Sequence, residues 1–179
     1  MTIIPDISIR EEQEGDRALV FEINKQAFGR PEEAMLVDQL RKSAAFIPEL
    51  SLVAVVHSKV VGHILFTQIK IHHPDQALPY TTALALAPLA VLPGFQHNGI
   101  GGALITNGLR IATALGHNAV IVMGHEAYYP KFGFIPAEKW QIKAPFEVPE
   151  SNFMAVELIP HALDHAAGTV EYAREFGIM

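Results

Sequence analysis

Residues 89–102 read Leu-Ala-Val-Leu-Pro-Gly-Phe-Gln-His-Asn-Gly-Ile-Gly-Gly. An apolar, strand-like run stops at Pro93. A short connector follows, and Gln96, Gly99, Gly101 and Gly102 then lead into an amphipathic helical pattern. A strand, a glycine-rich turn and a helix start together make an anion cradle. The first N–H groups of a helix have no intrahelical partner and lie at the positive end of its dipole. Glycine there lets a phosphate reach those amides without meeting a side chain.

Two nucleotide motifs fail on this stretch. The dinucleotide fingerprint needs a third glycine three residues after the second, and after Gly101 that position is Leu104. The P-loop needs Gly-Lys followed by Ser or Thr, and no lysine lies between Lys70 and Lys131. What remains is Gln-x-x-Gly-x-Gly, on Gln96, Gly99 and Gly101. A plain strand-to-helix turn is the alternative reading of these residues alone.

Working outward, Thr81 to Leu92 reads as a strand with Pro88 in its middle. Proline cannot donate to a sheet ladder, so a bulge or splay is predicted near Pro88 and Leu89. Ile100, Leu104, Ile111 and Leu115 mark one apolar face of the following helix, with Gly116 as its stop. Ala119 to Met123 is a short buried strand. A helix joins these two strands, so they are predicted to be parallel.

Upstream, Ile7 to Arg10 alternates as a first strand. Asp16 is placed to cap a helix carrying Leu19, Val20, Ile23, Ala27 and Phe28. Gly29-Arg30-Pro31 breaks it, a second helix runs through Met35, Leu36, Gln39 and Leu40, and Pro48 ends that region. Leu52 to Val56 and Val60 to Ile71 read as a hairpin about His57-Ser58-Lys59. Downstream, Tyr128 to Phe134 is a short helix or turn, Trp140 to Ser151 a proline-rich connection, and Phe153 to Leu158 a late strand. The fold class is α+β (mixed α/β), and the length of 179 residues suits a single domain over 1–179.

Composition narrows the function classes. Half of the residues are hydrophobic, enough for a substantial core. The chain has no cysteine, which excludes disulfides, thiolate metal sites and a cysteine nucleophile. A formal net charge of −6 argues against a nucleic-acid binder, and an anionic ligand must then be held by local amides and dipoles. The same acidity either helps gather a cationic substrate or simply aids solubility. Met1-Thr-Ile-Ile-Pro-Asp6 lacks a basic region followed by an apolar stretch, so no secretory leader is expected. The longest apolar run, Ala83 to Leu92, is too short to span a bilayer. A cytoplasmic protein with no metal and no membrane partner is expected.

The Gln-x-x-Gly-x-Gly motif in this setting resembles the pyrophosphate-binding motif of the GCN5-related N-acetyltransferases (GNAT). A second signature supports the likeness: Tyr129 stands four residues before Gly133-Phe134, as many family members place a tyrosine. The run from Gly124 to Phe134 is similar to a bacterial subgroup of predicted N-acetyltransferases. The resemblance covers roughly residues 5–135 on single-domain length. It implies a central, mostly antiparallel sheet flanked by helices, with a splayed parallel pair of fourth and fifth strands. It implies acetyl-CoA as cosubstrate, with Leu89, Ala90 and Val91 offering backbone groups to the pantetheine and the acetyl carbonyl. Gln96, His97, Asn98, Gly99, Ile100, Gly101 and Gly102 would hold the pyrophosphate.

The chemistry that follows from the likeness is direct attack of an amine on the thioester in a ternary complex. An alkylamine, with a pKa of about 10.4, must lose a proton near neutrality. His125 and Glu126 are the nearest candidates for that base, and loop or capping roles are their alternative. A backbone N–H near Ala90 or Val91 would hold the oxyanion. Tyr129 is the candidate general acid for the departing thiolate, and an aromatic packed beside Phe132 and Phe134 is its structural alternative. His63 lies inside a strand and reads as packed, and His72-His73 lacks a third ligand at metal spacing. The acceptor would be a small-molecule or peptide amine, and a homodimer is a further expectation. Two alternatives stay open: another acyl donor or a hydroxyl acceptor, and a non-catalytic coenzyme A-binding sensor.

Overall fold

A computed structural model describes residues 6–178. Contacts divide the chain into two compact units: residues up to Phe66 with Ala87–Ile111, and Thr67–Leu86 with the chain from Ala112 onward.

The first unit opens with β1 (Ile7–Glu11), followed by α1 (Arg17–Phe28) and α2 (Glu32–Leu40). Next come β2 (Phe46–Val56) and the start of β3 (Lys59–His72). The unit also holds the last residues of β4 (Tyr80–Val91) and most of α3 (Ile100–Ala114). The strand order here is β1-β2-β3-β4, with β1 antiparallel to β2 from Ile7↔Val56 to Glu11↔Leu52. Val20, Ile23, Val37 and Leu40 of the two helices are buried with Leu50, Leu52 and Ile64 of the strands. His57 and Ser58 both take positive φ, 48° and 63°. Two left-handed central residues match the right-handed twist of a hairpin, so this turn forms without glycine or asparagine.

Three local readings of the sequence are corrected in this unit. Asp16 does not cap α1. Its carboxylate takes two bonds from Arg10, at 2.6 and 3.0 Å, and one from the Gln13 N–H at 2.8 Å. It thereby ties β1 to a 3₁₀ turn over Glu14–Asp16. The Arg10 hydrogen bond is the main cause of its lowered pKa. Pro48 does not end a helical region but lies inside β2, where it is exposed. Leu19 and Phe28 are 50% and 40% exposed, so helical spacing overstated the buried stripe.

In the second unit the far end of β3 pairs antiparallel with β9 (Gly168–Glu171), from Lys70↔Glu171 to His72↔Thr169. β9 also pairs in parallel with β7 (Ile142–Lys143). The predicted parallel pair is present: β4 meets β5 (Ala119–Met123) at Leu84↔Val120 and Ala85↔Ile121. This ladder has two register pairs, against five between β5 and the antiparallel β8 (Phe153–Glu157). β8 in turn pairs with β6 (Ile135–Pro136). Ile69, Ile71, Ala85, Ile121, Phe153, Ala155 and Val170 form the core of this unit. The Trp140–Ser151 stretch, read as a connection, contains β7. That strand and β6 are two residues each, too short to leave a periodic trace in the sequence.

Candidate functional site

The cradle begins where β4 ends. The Ala87–Pro88 peptide is cis, and Leu89 and Ala90 follow it into the last turn of the strand. The Leu92 N–H bonds to the Val61 carbonyl at 2.9 Å. Polar groups alternate sides along a strand, so Leu92 and Ala90 face β3, while Leu89 and Val91 face away from it. The Val91 carbonyl accepts a bond from the Gln96 amide Nε2 at 3.0 Å. Gln96 therefore folds the connector back onto the strand end, on the side where the Val91 N–H also lies.

A 3₁₀ turn over Pro93–Phe95 starts the connector. The Asn98 side chain then donates to the carbonyls of Phe95 and Gln96, at 3.2 and 3.1 Å. His97 and Gly99 sit at φ 64° and 80° on either side of it. Left-handed residues in a turn are the kind of backbone that can aim successive N–H groups at one anion. Ala103 makes the first bond back along α3, to the Gly99 carbonyl at 3.0 Å. The amides of Ile100, Gly101 and Gly102 precede it and have no intrahelical acceptor. His97, Asn98 and Gly99 are exposed, whereas Ile100 is 1% exposed and anchors the helix start. The Lys59 ammonium lies 5.4 Å from the centroid of Phe95 in this connector.

One residue that sequence reading passed over fixes the helix start. A Cβ on Gly62 of β3 would lie 3.1 Å from both Ile100 Cγ2 and Leu104 Cδ1, and 3.3 Å from the Ala90 carbonyl oxygen. Gly62 therefore lets the first turn of α3 press on the sheet. A glycine inside a strand is the available signal for such an approach.

The other candidates belong to the second unit. Tyr129 opens a 3₁₀ turn, Tyr129–Phe132, that follows β5. Its ring meets Phe134 edge-on at 5.7 Å and Tyr128 at 5.2 Å. A Cβ on Gly124 would fall 2.3 Å from Tyr129 Cε2, so the ring rests on bare backbone. Gly124 is itself held by Asn152: its N–H donates to the Asn152 carbonyl at 2.9 Å, and Asn152 Nδ2 donates to its carbonyl at 3.1 Å. Burial, aided by Tyr128, pushes the Tyr129 hydroxyl up to about 12.

His125 and Glu126 are both exposed. His125 Nδ1 accepts the Ala127 N–H at 3.1 Å, and its carbonyl accepts the Tyr128 N–H at 3.0 Å. The neutral ring then carries its proton on Nε2, and Nδ1 is committed to the loop. His63 is wholly buried between Ser51 Oγ, 3.1 Å from Nε2, and Asn24 Nδ2, 3.3 Å from Nδ1. Burial first, and then the Arg41 charge, lowers its pKa to about 3. It is a packed neutral histidine. His73 is spanned by the Ala167 carbonyl and Thr81 Oγ1, at 2.8 and 2.7 Å. Among the described residues no group of three His, Asp or Glu is placed to hold a metal ion, and no helix is long and apolar enough to cross a membrane.

The sequence model of the Acetyltransferase (GNAT) family matches residues 17–134. Among curated proteins, the chain is 40% identical over 139 residues to "Uncharacterized N-acetyltransferase YjhQ" of Escherichia coli strain K12, covering 76% of this chain and 75% of that protein. Among solved structures it is similar to the GNAT family N-acetyltransferase YhbS from Escherichia coli in complex with CoA. That match has a TM-score of 0.86 at 27% identity and covers 99% of this chain and 95% of the other. A GNAT family acetyltransferase from Brucella melitensis in complex with acetyl-CoA matches with a TM-score of 0.74 at 29% identity, over 95% of this chain and 97% of that one.

Proposed function

The chain belongs to the acetyltransferase (GNAT) family, and on that footing we propose that it moves the acetyl group of acetyl-CoA to a primary amine by direct attack. The observation that carries this reading is the helix start at Ile100, Gly101 and Gly102, whose amides have no intrahelical acceptor, preceded by His97 and Gly99 at positive φ. A chain of net charge −6 holds an anionic pyrophosphate by oriented amides and a helix dipole, without a basic surface. The relatives crystallised with CoA and acetyl-CoA support the same choice of ligand.

In this reading Gln96 to Gly102 hold the pyrophosphate. The outward edge at Leu89 and Val91 takes the pantetheine as an added strand would, and Ala90, turned toward β3, keeps that edge in place. The Val91 N–H, on the outward edge, is the donor for the oxyanion formed when the amine adds to the thioester carbonyl. The amine nitrogen forms the new bond to carbon and gives up a proton, the C–S bond breaks, and the sulfur leaves as thiolate. Glu126, or His125 once its Nδ1 releases the Ala127 N–H, receives the amine proton, directly or through water. Tyr129 offers its hydroxyl proton to the departing sulfur. A phenol near 12 stays protonated at neutral pH. A thiol ionises at about 8.5, so Tyr129 acts by a hydrogen bond that lowers the thiolate's energy. The domain acts as a single catalytic unit over residues 1–179.

Calorimetric titration with acetyl-CoA and CoA, followed by thiol-release assays on an amine panel, tests this. Binding with turnover is expected. Binding without turnover of any amine would favour the sensor reading, and folded protein that fails to bind CoA would sink the cradle.

A further inference from the structure

A cavity of about 540 Å³ opens in the second unit, within the size range of small-molecule sites. Its apolar walls are Ile142, Phe146, Val148 and Phe153. Phe146 is fixed on two sides, edge-on to Phe153 at 6.4 Å and stacked on Tyr172 at 6.1 Å. Such a wall is pre-organised for an apolar body and for the face of a cation.

The cavity adjoins the Tyr129 platform through consecutive residues. Phe153 pairs with Met123, the last residue of β5. Asn152 holds Gly124, on which the Tyr129 ring rests. Glu150, which also lines the cavity, begins the same short turn that ends at Asn152.

Its charge is one-sided. Glu138, Glu147 and Glu150 line it, against one ammonium from Lys143. The neighbouring Glu150 raises the Glu138 pKa, as a like charge does when close by.

We infer that this cavity receives the body of the amine acceptor, and that the acceptor is an alkyl diamine, its chain against Phe146 and Phe153 and its second ammonium among the three glutamates. The inference rests on the proposed acetyl transfer, because Tyr129 marks the reacting end. A hydrocarbon spacer matches the apolar walls, and the unbalanced carboxylates match the distal charge. A neutral alcohol or an anionic amino acid leaves those carboxylates without a partner.

The probe is 1,6-diaminohexane, titrated by calorimetry into protein saturated with CoA, beside 1-aminohexane. The diamine is expected to bind more tightly than the monoamine. The double variant Glu147→Gln/Glu150→Gln should weaken the diamine about tenfold, equivalent to about 1.4 kcal/mol, and leave CoA affinity unchanged. Phe146→Ala should weaken both amines. Diamine that does not bind, or that binds the double variant as tightly as the wild type, overturns the inference. The CoA titration reads the acetyltransferase assignment separately, so either can fail without the other.

Discussion

Gly124 lies so close beneath Tyr129 that a Cβ there would sit 2.3 Å from the ring. The phenol is thus positioned by the absence of a side chain at the end of β5, and Asn152 holds that glycine in place. Tyr129→Phe keeps the ring and removes the proton. Turnover should fall about 100-fold, as for loss of a positioned acid, with CoA affinity within about twofold. Gly124→Ala should lower turnover in the same direction by displacing the ring. Steady-state rates and CoA calorimetry check both, and a Tyr129→Phe enzyme of normal turnover removes Tyr129 from the chemistry.

Gly101 stands in the first turn of α3, among amides with no intrahelical partner. Gly101→Glu would place a carboxylate against the pyrophosphate. CoA binding should be lost while the fold is kept. Circular dichroism shows the second and calorimetry the first, and unchanged affinity in folded protein contradicts the cradle.

Gly62 tests the same cradle from beneath. Valine there must push on Ile100 and Leu104, already 3.1 Å from an added Cβ. Overpacking of this kind costs about 1–3 kcal/mol. Denaturant unfolding should show that loss for Gly62→Val, and CoA affinity should drop with it as the helix start moves off the sheet.

His63 gives a pH signature. Its folded pKa, lowered to about 3, lies below its ordinary value of 6.5. Above 6.5 both states are neutral and nothing is lost. Between 6.5 and 3 the unfolded chain takes up a proton that the folded chain refuses, so stability falls as pH falls. The slope from one such proton is about 1.4 kcal/mol per pH unit. Urea unfolding between pH 7 and pH 4.5 should show this slope partly removed in His63→Gln. An identical pH dependence in the variant would show that His63 does not carry the effect.

Much of the cradle could be read from the chain because it is local. Strand, connector and helix start are contiguous over residues 89–102, and their amides are left free by the rules of helix ends rather than by distant contacts. The parallel β4/β5 pair was likewise legible, since a helix between two strands restricts how they pair. The short turn from Tyr129 to Phe132 was visible as a helix or turn ahead of Gly133-Phe134.

Long-range packing escaped the sequence. Periodicity assigned Leu19, Phe28 and Leu115 to buried faces, yet they are 50%, 40% and 46% exposed, because a stripe is buried only as far as a neighbour covers it. Asp16 looked like a cap and became the partner of Arg10, six residues away in sequence.

The sequence by itself determined the family, the strand, turn and helix start over residues 89–102 and the chemistry open to a chain without cysteine. Tertiary structure alone decided that Gly62 admits the helix start, that Gly124 and Asn152 support Tyr129, and that Glu138, Glu147 and Glu150 surround one cavity. The physical reason is range. Backbone conformation and free amides are set within a few residues, whereas close approach and shared charge depend on segments that meet only when the sheet is assembled.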